Sequence, residues 1–144
     1  SVDYPKLEDE IKIIEGNNER RNQDPTQLIQ PVFNSSDILE FQKIVQEIRI
    51  EPRLIHYIAQ IVNSTRNNPS LFLGASPRAS ISILNASKAV AAIRGRDFVI
   101  PEDIKFTSPS ALKHRIVLSP EKEMEGLTAD NVVQQIIEKI EIPR

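Results

Sequence analysis

Arg78 is the side chain that type and position mark most clearly for chemistry. It follows Ser76-Pro77, a pair that starts helices, with Ser as cap and Pro at the first position. Arg78 therefore falls at the second position. A helix start carries partial positive charge, which disfavours a cation there by up to about 1 kcal/mol. The free backbone N–H groups at that end attract anions. An arginine set against the dipole makes sense beside a phosphate, whose oxygens match the planar guanidinium fork. A carboxylate partner explains it equally well, and the residues alone leave both open.

Other chemistry is thinly provided. The chain has no cysteine and two histidines, His56 and His114. The lack of cysteine excludes disulfides, thiolate zinc sites and cysteine catalysis, two histidines argue against a histidine-rich metal site, and no metal is assigned. Four glycines leave little material for a glycine-rich phosphate loop. Glu102 and Asp103 directly follow Pro101, so they read as first-turn acids matched to a helix dipole and not as a catalytic pair.

Helical spacing dominates the elements that must position Arg78. Leu7, Ile11 and Ile14 predict a first helix, with Gly16 as its stop. Residues 17–31 are polar, with Pro25 and Pro31, and read as a connection. Asp37 is expected to cap a helix with Ile38, Phe41, Ile44, Val45 and Ile48 on its apolar face. Glu51-Pro52 opens the next, striped by Leu54, Ile58, Ile61 and Thr65, and Asn67-Asn68-Pro69 ends it. Leu71 to Ala75 reads as a short apolar loop. The Arg78 helix is expected to run to Arg94 and stop at Gly95. Ala79, Ile83, Ala86, Val90 and Ile93 are read as its inner face, broad enough to make it the most buried element. Phe98–Ile100 and Ile116–Leu118 are strand candidates. Pro101 starts another helix, which Ser108-Pro109 is expected to interrupt. Ala129 to Glu141 is the last helix, with Val133, Ile136, Ile137 and Ile140 inward. The sum is a mainly α fold of about five or six helices, with a small two-stranded ribbon around Val99 and Val117.

The chain's 144 residues fit one domain able to bury a core. A formal charge of −2 argues against binding nucleic acid over the whole molecule. Charge is unevenly spread, however. Ser76 to Arg115 holds seven cations against three anions, which leaves room for a stand-alone helical DNA-binding or interaction module. No apolar run approaches the 18 or so residues of a membrane helix, and no signal peptide is evident. A cytoplasmic location is expected.

Several segments together resemble one family. Gly74-Ala75-Ser76-Pro77-Arg78-Ala79 resembles the sensor-2 motif of the MoxR branch of AAA+ ATPases. Tyr4-Pro5 with Glu10 is similar to the start of that family's lid, and Thr65-Arg66 to its Thr-Arg pair. Gly95-Arg96-Asp97-Phe98-Val99-Ile100-Pro101-Glu102-Asp103-Ile104 resembles its Gly-Arg-Asp-Tyr-Val-x-Pro-Glu-Asp-Val run, with Phe98 for the usual Tyr and Ile100 for the usual Thr. Leu112-Lys113-His114-Arg115-Ile116 resembles its Leu-x-His-Arg-Ile segment. The ordered matches run from residue 4 to residue 128. No Gly-x-x-x-x-Gly-Lys-Ser/Thr occurs, nor an apolar strand ending in paired acids to hold Mg2+.

The resemblance implies that residues 1–144 are a single helical lid, with an α/β nucleotide-binding core preceding residue 1, and that the chain does not hydrolyse ATP alone. It implies that Arg78 is the sensor-2 arginine, reaching the γ-phosphate of ATP whose Mg2+ the core holds. Ser76 and Pro77 set the helix start, with direct nucleotide contact the lesser role. Ile11 and Ile14 are read as core residues, with adenine contact the alternative. Arg66, His114 and Arg115 are candidates for interdomain or intersubunit contacts, Arg66 also for support of the Arg78 helix. Arg96 and Asp97 are expected to stabilise the turn after Gly95. Such enzymes form rings of identical subunits, typically hexamers, and act as chaperone-like machines in maturing protein complexes. They often work with proteins bearing von Willebrand factor A domains. A lid of the magnesium-chelatase type is the nearest alternative within AAA+ proteins.

Overall fold

The structure is a computed structural model that describes residues 4–20, 24, 26 and 29–143. Contacts divide it into two compact units, residues 1–38 and 39–144.

The first unit holds α1 (Leu7–Glu19) and the opening turn of α2 (Ser35–Glu47). α1 runs through Gly16, which is therefore no stop. Its backbone is not left-handed, and Asn17, Asn18 and Glu19 carry the helix past it despite the low helix propensity of Asn. Beyond Glu19, part of the expected connection lies outside the described residues. α1 buries none of its residues, and Leu7, Ile11, Ile13 and Ile14 stand exposed. The reading of Ile11 and Ile14 as core residues is corrected. α2 starts earlier than Asp37. Asn34 is the cap: its Oδ1 accepts from the Asp37 N–H at 3.0 Å, and Asp37 Oδ2 accepts from the Asn34 N–H at 2.8 Å. Asp37 is thus the return arm of a reciprocal capping pair.

The second unit comprises the rest of α2, then α3 (Pro52–Arg66), β1 (Leu71–Leu73), α4 (Pro77–Ile93), α5 (Pro101–Leu112), β2 (Val117–Leu118), α6 (Pro120–Met124) and α7 (Ala129–Lys139). Four of its helices start with proline at the first position: α3, α4, α5 and α6. The missing N–H costs nothing there, and the ring presets φ. α3, α4, α5 and α7 pack around one core of Tyr57, Ile61, Ile83, Ile104, Leu112 and Val133. A fully buried Ile such as Ile83 contributes about 2–3 kcal/mol relative to exposure.

The inner face of α4 is Ala79, Ile83, Ser87 and Ala91. The sequence reading set that stripe out of phase, because it passed over Ser87. Ser87 Oγ pairs with Thr107 Oγ1 of α5 at 3.0 Å, which satisfies both buried hydroxyls. Ile93, expected inside, is largely exposed. α3 buries six of its residues and α4 four, so α4 is central without being the most buried. Pro109 lies inside α5 and does not interrupt it. The flanking hydroxyls stay within the helix: Thr107 Oγ1 donates to Asp103 O at 2.9 Å, and Ser108 Oγ to Ile104 O at 2.6 Å.

The ribbon is antiparallel, with Leu71 opposite Leu118 and Leu73 opposite Val117. Leu71–Leu73 is therefore a strand and no loop. Phe98 forms only an isolated parallel bridge to Arg49, so Phe98–Ile100 is not the ribbon's second strand. Among the described residues no helix is long and apolar enough to cross a membrane.

Candidate functional site

The site is built at the junction of α3 and α4. Ser76 is the extended N-cap of α4 (φ −77°, ψ 166°), and its hydroxyl makes no capping bond. Pro77 is the first helical residue and Arg78 the second. Arg78 is exposed. Its carbonyl accepts from Ser82 Oγ at 3.0 Å. Among the described residues no carboxylate pairs with its guanidinium.

The two residues before this start are held from both sides by the end of α3. The Ala75 N–H donates to Thr65 Oγ1 at 2.9 Å, and Arg66 Nε donates to Ala75 O at 3.0 Å. Thr65 Oγ1 in turn donates to Val62 O at 2.6 Å. Thr65 and Ala75 are each 1% exposed, so an unmade bond here would leave a buried polar group unsatisfied. Gly74 completes the junction. A Cβ there would lie 2.6 Å from Arg66 Cα and 2.7 Å from Thr65 O. Only glycine lets the two backbones approach this closely.

His114 and Arg115 follow the end of α5. Arg115 Nη1 donates to Ala111 O at 3.1 Å, and His114 is exposed. Both line a cleft of about 310 Å³ with Ser82 and Ala86 of α4. The structure thus brings His114 and Arg115 beside α4, one turn along from Arg78. Arg66, the last residue of α3, is not among the residues of that cleft and is committed through Nε to Ala75. Ser76, Pro77 and Arg78 form one contiguous corner.

A second cluster sits at the opposite end of α4, and the sequence reading missed its centre. Asp103, expected as a dipole-matched acid in a first turn, stands in that turn but is fully buried. Its Oδ2 accepts from Arg96 Nη1 at 2.8 Å and its Oδ1 from Arg96 Nη2 at 2.7 Å, a bidentate pair. Arg94 Nη1 adds a bond at 3.1 Å, and so does the Ile100 N–H at 3.1 Å. Burial pushes the Asp103 carboxyl up, but the bonds from Arg96 and Ile100 and the Arg96 and Arg94 charges outweigh it and hold it below its ordinary value. The bond to Asp103 likewise raises Arg96 above its ordinary value, against partial desolvation. Arg94 also lies over the Phe106 ring, 5.2 Å from its centre. Gly95, at φ +71°, supplies the left-handed residue that lets the chain turn between the two arginines. Asp97 pairs with Arg49 at 2.6 Å in the open. The clue in the sequence was two arginines within ten residues of Asp103.

This cluster bears on the cationic segment. Arg94 and Arg96 are spent on Asp103, and Lys88 donates to Gln46 O at 3.0 Å. These contacts engage three of the segment's seven cations within the fold, but Asp103 is already one of its three anions, so the excess of positive charge remains.

In α3, Tyr57 is 1% exposed and its hydroxyl has no partner among the described residues. Burial, and then the Glu102 charge, push its phenol above the ordinary value.

Comparison with known proteins places these features in a family. The family model described as the AAA lid domain matches residues 63–136, from the end of α3 into α7. The chain is 35% identical over 140 residues to the uncharacterized protein YeaC of Bacillus subtilis, covering 97% of this chain and 43% of that protein. It is 31% identical over 153 residues to the chaperone MoxR1 of Mycobacterium tuberculosis, covering 100% of this chain and 39% of that one. A crystal structure from Cytophaga hutchinsonii, described provisionally as that of an ATPase, superposes with a TM-score of 0.78 at 29% identity, over 99% of this chain and 45% of the other. The chain thus spans less than half the length of these relatives. It carries neither a Walker A nor a Walker B motif. It belongs to the AAA lid domain family, as an AAA+ lid-type domain related to the MoxR-family ATPases.

Proposed function

We propose that this domain is the nucleotide-sensing lid of a MoxR-like ATPase, in which Arg78 reads the terminal phosphate. The carrying observation is an exposed guanidinium at the second position of α4 with no carboxylate paired to it among the described residues. Of the two explanations for a cation against the helix dipole, internal pairing has no support, and an external anion accounts for the placement. ATP with Mg2+, bound by an α/β core preceding residue 1, supplies that anion. Arg78 lends positive charge to the phosphate and draws the lid toward the core. A contact made with triphosphate and weakened after hydrolysis shifts the lid between two positions, because only a differential contact moves such an equilibrium. Ser76 and Pro77 fix where Arg78 stands. His114 and Arg115, beside the α4–α5 cleft, are offered to the core or to a neighbouring subunit in a hexameric ring. The motion serves chaperone-like remodelling of protein complexes, with von Willebrand factor A proteins as the partner class.

The test is Arg78→Ala in the full-length enzyme. ATP turnover is expected to fall by about 10²-fold, while the isolated lid melts at the parent temperature. Unchanged turnover removes the role from Arg78.

A further inference from the structure

We infer that Thr65, Arg66 and Gly74 form a positioning clamp that sets the direction of Arg78. The inference rests on the sensor reading of Arg78. Three observations converge on residues 74 and 75, the last before the cap of α4. The Ala75 N–H is held by Thr65 Oγ1 at 2.9 Å. Its carbonyl is held by Arg66 Nε at 3.0 Å. The Gly74 backbone touches Thr65 and Arg66 so closely that no side chain fits between them. Both polar groups of one peptide segment are therefore tied to the last turn of a neighbouring helix. The Ser76 hydroxyl makes no capping bond, so this entry to α4 is fixed from outside the helix.

The consequence for Arg78 is geometric. It stands three residues past Ala75 on a helix whose first turn follows wherever residue 75 is held. Arg66 acts through a charge-assisted hydrogen bond from Nε to an uncharged carbonyl, so the position of the donor is the operative property and the charge only strengthens the bond. Thr65 acts through its hydroxyl, and Gly74 through its lack of a side chain. None of the three touches the phosphate in this scheme. A displacement of about 1 Å in a group that stabilises a transition state costs up to about 10²-fold in rate.

The chemistry supplies a discriminating pair of variants at residue 66. Gln carries an amide nitrogen at the same distance along the side chain as arginine Nε, so Arg66→Gln keeps the donor and removes the charge. Arg66→Met keeps the length and removes both. In the full-length enzyme, with kcat and KM for ATP measured, Arg66→Gln is expected to stay within about twofold of the parent and Arg66→Met to lose about tenfold in kcat with KM little changed. Thr65→Ser keeps the hydroxyl and is expected to retain turnover, whereas Thr65→Val loses it. The double variant Arg66→Met/Arg78→Ala is expected to match Arg78→Ala alone, because the clamp works only through Arg78. Thermal melts set the assay temperature well below every transition, and Thr65→Ser with Arg66→Gln carries the test where a harsher variant folds poorly.

Three results overturn the inference while Arg78→Ala remains impaired: Arg66→Gln as damaged as Arg66→Met, Arg66→Met with parental turnover, or additive losses in the double variant. Normal turnover of Arg78→Ala overturns the sensor reading and the clamp's purpose with it.

Discussion

Replacing Asp103 by Asn tests the view that the far end of α4 is held by a buried charge. The carboxylate accepts four bonds, two on each oxygen. An Asn side chain keeps one oxygen and puts an NH2 where the other stood. Whichever way the amide turns, two bonds are lost and a donor faces donors. Loss of one partner of a buried ion pair costs about 3–5 kcal/mol. The Arg94 side chain is 46% exposed and that of Arg96 21%. Both can turn partly to water, so the low end applies, about 3 kcal/mol. For a chain of this size that lowers the melting temperature by roughly 10 °C. Circular dichroism melts of parent and variant at neutral pH measure it. Asp97→Asn is the internal control: its pair with Arg49 is 70–74% exposed, and its removal is expected to leave the melt unchanged. The pH dependence adds a second signature. The folded carboxyl titrates below its ordinary value of 3.8. Its contribution is complete above the unfolded value and is lost as the pH falls through the folded one. The gap between parent and Asp103→Asn should therefore narrow in acid. A melt lowered by less than about 3 °C at neutral pH would refute the reasoning.

Gly74→Ala is expected to destabilise by about 1–3 kcal/mol, because its Cβ meets backbone that cannot swing aside. Gly95→Ala, with open space around it but φ +71°, should cost about 1–2 kcal/mol for the left-handed backbone alone. Denaturant titrations of both compare crowding with conformational strain. Tyr57→Phe removes a buried hydroxyl that has no partner among the described residues, so it should be neutral or stabilising by up to about 1 kcal/mol in the same titration. A loss of stability there would mean that the hydroxyl has a bound partner. Arg78→Ala should leave the melt of this chain within error, since an exposed, unpaired side chain contributes little to the fold.

Local chemistry was readable where one residue decides a conformation. Pro52, Pro77 and Pro101 each open a helix, Gly95 ends one, and Arg78 stands at the second position of α4. Features set by distant partners were not. Leu71–Leu73 becomes a strand only because Val117 and Leu118 lie beside it. Asp103 looks like a dipole-matched acid until Arg94 and Arg96 fold back over it. The phase of α4 is hidden in the sequence because Ser87 is polar, and its burial is permitted by Thr107 on another helix. Gly16 and Pro109 are break signals in the sequence, yet each sits inside a helix that continues. For the candidate site, the corner of residues 76–78 was legible, whereas the grip of Thr65 and Arg66 on Ala75 involves groups ten and nine residues apart and needed coordinates.

α4 is tethered at three points along its length: at its entrance through Ala75, at its middle through Ser87, and past its last turn through Arg94. A 17-residue helix is about 25 Å long. Fastened in this way, it has little freedom to roll about its axis or to unwind at either tip. A tug on its leading edge is therefore passed along as rigid-body travel and arrives at the Arg94 end with little lost to bending. If Arg78 is drawn toward a phosphate as proposed, α4 acts as a pushrod within the second unit and carries that pull to its Arg94 end.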